Sequence, residues 1–180
     1  MEYRTLGRTG VQVSCLCFGT MSFGGDADEA TSAAMFARCR DAGINFFDTA
    51  NAYSGGRSEE ILGRLIAGCR DDLVLTSKVH FPVGPDVNAR GSSRRHILLS
   101  VEASLKRLGT DRLDLYFLHG FDAKTPIDRP CALSMTWCTT ERSSIRQSAT
   151  GRHGKSPRPL ASPQQPTWRA SSAFSPCTTS

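Results

Sequence analysis

The chain has 180 residues, which is enough for one ordinary domain with a sizeable core. Its formal net charge of +5 comes entirely from residues 129–180, where Glu141 is the one acid, so the charge indicates no acidic partner for the rest of the chain. Its 7 cysteines form no CxxC pair and no histidine stands at ligand spacing, so the sequence indicates neither a disulfide framework nor a zinc site. The sequence shows no leader-like or membrane-spanning apolar run, and we therefore expect a cytoplasmic protein without a membrane partner.

Short apolar runs alternate with amphipathic stretches along the first 128 residues. Residues 3–14 predict a small hairpin whose turn contains Gly7 and Gly10. Buried strands are then predicted at residues 13–20, 44–50, 73–79 and 113–119, separated by helices at residues 26–43, 58–68 and 92–109. Ser58 is the predicted N-cap of the second helix, and Gly43 and Gly109 are predicted helix stops.

This alternation of apolar strands and helices predicts an α/β fold with a parallel sheet. The leading hairpin and the regular spacing favour a (β/α)8 barrel over a doubly wound sheet, and no GxGxxG follows any strand. A closed barrel needs eight strand–helix units, and four are predicted here. We therefore expect the N-terminal half of a barrel over residues 1–128, followed by a disordered tail over residues 129–180.

Ionisable residues follow three of the predicted strands. Asp48, Lys78 and His119 each stand at a strand end, and Tyr53 lies five residues beyond Asp48. A single Lys or His in such a place is more often structural than functional. Four polar side chains converging on one rim are hard to explain as packing, because each buried charge costs several kcal/mol unless it is paired. The carboxyl ends of barrel strands also carry the chemistry of this fold.

Four segments carry a resemblance to the aldo-keto reductases. They read "FGTMSFGG", "INFFDTANAYSGGRSEEILG", "LVLTSKV" and "SVEASLKRLGTDRLDLYFLH". The chain resembles that family over nearly all of residues 3–128. The "GGRSEE" form is most similar to the bacterial branch akin to potassium-channel β-subunits.

The resemblance implies an NADPH-dependent reduction of small aldehydes or ketones to alcohols. It makes Tyr53 the general acid, pairs Asp48 with Lys78, and gives His119 the task of orienting the substrate carbonyl. It also places Gly19, Thr20, Met21 and Asp48 beside the nicotinamide of the cofactor, and it implies no metal. Other residues are interpreted as structural, namely His80 and His96 as surface or packing residues and Cys15, Cys17, Cys39 and Cys69 as small core side chains.

The tail loses this pattern, and the genetic code offers a reason. Residues 129–180 are rich in Ser, Thr and Pro and poor in large apolar residues, which cannot offset the entropy of ordering. Read from the third base of each codon, the codons of Ser134–Cys138 permit D-D-L-V, those of Gln147–Gly151 permit V-S-N-W, and those of Ser175–Ser180 permit P-M-Y-N-L. These are successive landmarks of the family's second half. We interpret the tail as that half translated in a shifted frame.

A frameshift would remove most of the cofactor site, so we expect the chain as written to be inactive. An alternative is a non-catalytic half-barrel that associates through its open sheet edges. A nucleic-acid-binding tail is a third class, but its charge is sparse and lacks interleaved aromatic residues. A small carbonyl compound is the substrate that the resemblance implies, and nothing in the sequence fixes the oligomeric state.

Overall fold

The computed structural model describes residues 1–125. The predicted tail over residues 129–180, and with it the proposed frame change, lies outside the described residues. The described part begins with an antiparallel hairpin of β1 (Tyr3–Thr5) and β2 (Gln12–Ser14). The hairpin was predicted, and its turn has Gly7 and Gly10 at positive φ, where glycine is favoured.

A four-stranded parallel sheet follows, in the sequential order β3-β4-β5-β6. Its strands are β3 (Cys17–Gly19), β4 (Phe46–Asp48), β5 (Val74–Val79) and β6 (Leu115–Leu118). The sequence predicted all four, as well as their parallel direction. The first is shorter than predicted, because the chain bends at Cys15 and Leu16, so that Val13 and Ser14 belong to the hairpin.

Three helices connect these strands, namely α1 (Glu29–Asp41), α2 (Arg57–Ile66) and α3 (Arg94–Leu108). Asp28 caps α1 by accepting from the amide of Thr31, and Ser93 caps α3 by accepting from the amide of His96. Two short 3-10 turns, Tyr53–Gly56 and Arg70–Asp72, lie just before and after α2.

The prediction that Ser58 caps α2 is wrong. Gly56 occupies the N-cap position in the left-handed region at φ 95°, and no side chain caps this helix. Ser54 and Gly55 also have positive φ, so the chain turns sharply enough to begin the helix before Ser58. Ser58 lies inside the first turn and is fully buried.

The core lies between the sheet and its helices. Phe47 of β4 and Leu75 of β5 have no exposed surface, and they pack with Phe36 of α1 and Leu62 of α2 in one cluster. Complete burial of such a side chain contributes about 1.5–3 kcal/mol. Because side chains alternate along a strand, the residues between these apolar ones point to the opposite face, which is the interior of a barrel. That face carries the candidate site.

Candidate functional site

The strand register brings the predicted polar side chains to one rim. Gly19 pairs with Asp48, and Asp48 pairs with Thr76 on the next strand. Lys78 lies two residues beyond Thr76, and therefore on the same face of the sheet. His119 follows the last residue of β6, and its amide donates to the carbonyl of Val79. The clustering predicted from the strand ends is thus present in the structure.

Lys78 is at the centre of this cluster. Its Nζ lies 2.5 Å from Asp48 Oδ2, 2.8 Å from the carbonyl oxygen of Thr49 and 3.1 Å from the hydroxyl of Tyr53. These three contacts use the three donors of an ammonium group. The same Nζ lies 4.8 Å from the centroid of the Tyr53 ring. Lys78 therefore joins the carboxylate and the phenol in one polar network.

Asp48 is held by a second group that the sequence analysis did not single out. Thr76 Oγ1 donates to Asp48 Oδ1 at 2.6 Å, so β5 contacts both oxygens of this carboxylate. Thr76 stands two residues before Lys78 on a strand, and the two-residue period is the signal that could have identified it. The Asp48 carboxylate is therefore paired with the Lys78 ammonium and also held in one orientation by Thr76.

His119 lies against two aromatic rings. Its ring centroid is 5.6 Å from that of Tyr53 and 4.9 Å from that of Phe81, both in edge-on arrangements. Burial lowers the pKa of His119 below its usual value, and the nearby ammonium of Lys78 lowers it further. The imidazole is therefore neutral at pH 7. Its Nδ1 is buried without a hydrogen-bond partner within residues 1–125.

The predicted cofactor-side residues follow β3. Gly19 and Met21 are exposed, whereas Thr20 is buried with its hydroxyl oriented into the protein. Thr20 Oγ1 donates to the carbonyl of Asp48 at 3.1 Å and lies 2.9 Å from Ser58 Oγ. Among residues 1–125, no atom other than those of Gly19 and its chain neighbours lies within 4 Å of the place where a Cβ on Gly19 would stand, so the described part of the rim is open above this residue.

Two of the cysteines predicted in the core are not there. Cys15 and Cys17 are exposed, whereas Cys39 and Cys69 are partly buried against the core as predicted. Cys15 lies in the bend before β3, and Cys17 faces the barrel interior opposite its neighbour Phe18. The thiol of Cys17 is nevertheless partly desolvated, and this effect together with the charge of Asp48 raises its pKa to about 11.

The residues interpreted as structural are accounted for by packing. His96 is buried on α3 beside Ser100, and His80 is half-buried with its Nδ1 3.2 Å from Ser92 Oγ. Within the described part of the chain, no group of three or more His, Cys, Asp or Glu side chains could hold a metal ion. None of the helices described is long and apolar enough to cross a membrane.

Comparison with known proteins places this site in a family. The model of the Aldo/keto reductase family matches residues 15–143, a range that contains the whole cluster and ends within the segment interpreted as frame-shifted. A probable voltage-gated potassium channel subunit beta of Arabidopsis thaliana is 43% identical over 132 residues, covering 71% of this chain and 40% of that protein. The uncharacterized oxidoreductase YrpG of Bacillus subtilis is 45% identical over 140 residues, covering 71% of this chain and 43% of its own length.

Solved structures agree with the sequence matches. The holo form of aldo-keto reductase AKR11C1 from Bacillus halodurans superimposes with a TM-score of 0.64 at 33% identity, covering 82% of this chain and 47% of that one. A thermostable aldo-keto reductase, Tm1743, in complex with the inhibitor epalrestat, gives a TM-score of 0.63 at 30% identity, covering 82% and 51%. The chain spans less than half the length of the curated relatives named above.

Proposed function

The chain belongs to the aldo/keto reductase family, and we propose that its rim carries the carbonyl-reducing chemistry of an NADPH-dependent oxidoreductase. The observation that supports this most directly is the position of Lys78, whose Nζ contacts both Asp48 and the hydroxyl of Tyr53. A tyrosine in contact with a paired ammonium is suited to give up a proton, because the cation stabilises the phenolate that remains.

The four side chains would divide the work as follows. Tyr53 donates its proton to the carbonyl oxygen of the substrate, and Lys78 stabilises the resulting phenolate. Asp48 accepts from the lysine ammonium and holds it in place, while the contact with Thr76 fixes Asp48 itself. His119, neutral at pH 7, donates a ring N–H to the carbonyl oxygen and so orients it toward Tyr53. One hydride adds to the carbonyl carbon and one proton to the carbonyl oxygen, which gives the alcohol.

The described rim fits the nicotinamide end of the cofactor. The space above Gly19 is open, the carboxylate of Asp48 stands beside it, and the buried Nδ1 of His119 has no partner among residues 1–125. Bound NADPH would supply the hydride at this rim. Gly19, Thr20, Met21 and Asp48 are the residues proposed to line its nicotinamide.

We infer that the 180-residue chain does not complete the reaction by itself. In the family, the groups that hold the cofactor's amide and phosphates come from the second half of the barrel. Positioning of the reacting groups can lower the activation free energy by about 7–11 kcal/mol. A loosely held nicotinamide therefore gives little catalysis even beside an intact set of catalytic side chains.

The test measures NADPH oxidation with a generic aldehyde for the chain as written and for a protein from the frame-restored gene. We expect turnover in the restored protein only, and Tyr53→Phe in that protein should lower kcat by about 10²–10⁴-fold. Tyr3→Phe is the matched control, because Tyr3 is an exposed hairpin residue that donates to the carbonyl of Gly43. A restored protein without turnover would contradict the proposed function, and Tyr53-dependent turnover by the 180-residue chain would contradict its inactivity.

A second candidate function is association through the open edge of the sheet. Within residues 1–125, β6 has no neighbour on its outer side, and Phe117 and Leu118 are 45% and 39% exposed. An edge strand with exposed apolar residues is a template for pairing with another chain. The test compares the sedimentation of the chain with that of its Phe117→Lys variant. Association through β6 predicts a smaller species for the variant, and a monomeric unmodified chain would contradict this candidate function.

A further inference from the structure

Two buried polar residues stand in the first turn of α2, where the sequence predicted only a helix cap. Ser58 and Glu59 have no exposed surface, although serine and glutamate are usually found at the surface. Both side chains point toward the sheet rather than into solvent. Neither takes part directly in the chemistry proposed for the rim.

Ser58 connects α2 to the ends of β3 and β4. Its hydroxyl donates to the carbonyl of Thr20 at 2.7 Å, and it lies 2.9 Å from Thr20 Oγ1 and 3.1 Å from Thr49 Oγ1. Both threonines are fully buried. Thr20 comes directly after β3 and Thr49 comes directly after β4, which ends at Asp48. The Ser58 hydroxyl therefore connects the carboxyl ends of these two neighbouring strands.

Glu59 connects α2 to β5 and α3. Its Oε1 accepts from Ser77 Oγ at 2.6 Å, and its Oε2 accepts from Arg107 Nε at 2.7 Å. The buried hydroxyl of Tyr116 lies close enough that its pKa is raised, mainly by burial and further by the charge of Glu59. The carboxylate is thus paired and hydrogen-bonded, as a buried charge must be.

We propose that Ser58 and Glu59 are positioning residues that hold the Tyr53 turn in register with Asp48 and Lys78. Ser77 and Lys78 are neighbours on β5 whose side chains point to opposite faces, so the Glu59–Ser77 bond fixes the lysine-bearing strand from behind. The Tyr53–Gly56 turn runs directly into α2, so Ser58 and Glu59 fix the tyrosine-bearing segment at the same time. This role rests on the proposed function of the rim.

The turn needs such support because its backbone is strained. Ser54 has a φ of 50°, which L-residues other than glycine rarely adopt, and it stands next to Tyr53. The segment just before this turn contacts β5 through the amide of Asn51, which donates to the carbonyl of Lys78 at 3.1 Å. The amide of Tyr53 itself makes a local bond, to the carbonyl of Ala50 at 3.2 Å.

Amide hydrogen exchange on the 180-residue chain tests the proposal without requiring turnover. The variants are Ser58→Ala and Ser77→Ala, and the control is Ser32→Ala, a fully buried serine on α1 whose hydroxyl donates to Ala27. Loss of one net hydrogen bond at the turn should speed exchange of the Asn51 and Tyr53 amides by about tenfold. Amides of the β1–β2 hairpin should be unaffected, and the control should leave the turn unchanged.

The positioning role would be overturned if Ser32→Ala sped exchange of the Asn51 and Tyr53 amides equally. It would also be overturned if the faster exchange in the variants were fully explained by a lower free energy of global unfolding, measured in urea. If Ser77→Ala does not fold, Glu59→Gln serves instead, because removing the charge weakens the hydrogen bonds that Glu59 accepts from Ser77 and Arg107 and should likewise speed exchange at the turn. In the frame-restored protein, Ser77→Ala should lower kcat and leave the KM for NADPH unchanged. If the frame-restored protein is active and its Ser77→Ala variant has an unchanged kcat, the positioning role is also overturned. If the frame-restored protein itself is inactive, that result counts against the proposed function alone.

Discussion

Lys78 Nζ and Asp48 Oδ2 lie 2.5 Å apart across two neighbouring strands, although the two residues are 30 positions apart in the chain. The side chains of this pair are 14% and 25% exposed, so the pair is largely, but not fully, removed from water. Partly buried pairs of this kind are screened less than surface pairs, and the loss of one partner leaves a charge without compensation.

Asp48→Asn should therefore destabilise the fold by about 1–3 kcal/mol, less than a fully buried pair would lose because water still reaches both groups. The measurement is urea unfolding at neutral pH. Glu29→Gln is the matched control, since it removes one partner of the Arg64–Glu29 pair, in which both side chains are about half exposed. The control should cost less than about 1 kcal/mol, and equal losses in the two variants would contradict the desolvation argument.

His119 should titrate below the usual value of about 6.5, because burial and the Lys78 ammonium both disfavour its protonated form. Lys78→Met should raise its pKa, since it removes the cation and leaves the carboxylate of Asp48 to favour the imidazolium. NMR titration of the imidazole in the two proteins measures both values. A lower pKa in the Lys78→Met variant would contradict this account.

The same depressed pKa links His119 to stability. As pH falls below the unfolded-state value of about 6.5, the unfolded chain binds a proton that the folded chain does not. The free energy of unfolding should therefore decrease as pH falls through the window between the unfolded and folded pKa values. His119→Asn should reduce this slope in urea unfolding measured across the window, and an unchanged slope would show that His119 does not contribute.

Gly63 should be the least replaceable residue in the middle of α2. A Cβ built there would lie 2.7 Å from the carbonyl oxygens of Arg107 and Leu108, which are backbone atoms and cannot rotate away. Gly63→Ala should therefore force α2 and α3 apart and cost about 1–3 kcal/mol in thermal or urea unfolding. At Gly68 a Cβ would meet nothing within 4 Å among the residues that the structure describes. Gly68→Ala should be close to neutral, and similar losses at both positions would refute the close helix contact.

The sequence predicted the rim because its signals are local. A strand followed by an ionisable residue is visible along the chain, and parallel strands bring their carboxyl ends to the same edge. Asp48, Lys78 and His119 could therefore be assigned to one site without coordinates. Tyr53 could be expected on the same rim because it lies five residues beyond Asp48, and its role as general acid came from the resemblance. Its contact with Lys78 depends on a turn with positive φ at Ser54, which the sequence pattern did not predict.

The errors arose where tertiary contacts override local preference. Serine before a helix usually caps it, but the turn ending at Gly56 begins α2 early and leaves Ser58 facing the sheet. Cys17 reads as a buried strand residue, yet it faces a barrel interior that residues 1–125 do not cover. Glu59 was not singled out from the sequence, because its burial depends on contacts with Ser77 and Arg107 on other elements.

The frame-shift proposal makes a prediction about the gene itself. When read from the third base, the codons of Ser134–Cys138, Gln147–Gly151 and Ser175–Ser180 should encode D-D-L-V, V-S-N-W and P-M-Y-N-L, respectively. Sequencing of the locus measures this directly, because the protein sequence leaves several codon positions free. The composition gives a second reason to expect it, because residues 129–180 are poor in the large apolar residues that the core of a barrel requires.

Restoring the frame should also stabilise the described half. Strands supplied by the second half would cover Phe117 and Leu118, and burying each such side chain contributes about 1.5–3 kcal/mol. The measurement is amide exchange in β6, which should slow in the restored protein relative to the 180-residue chain. Faster or equal exchange in β6, or codons that do not encode the three landmarks, would contradict the frame-shift account.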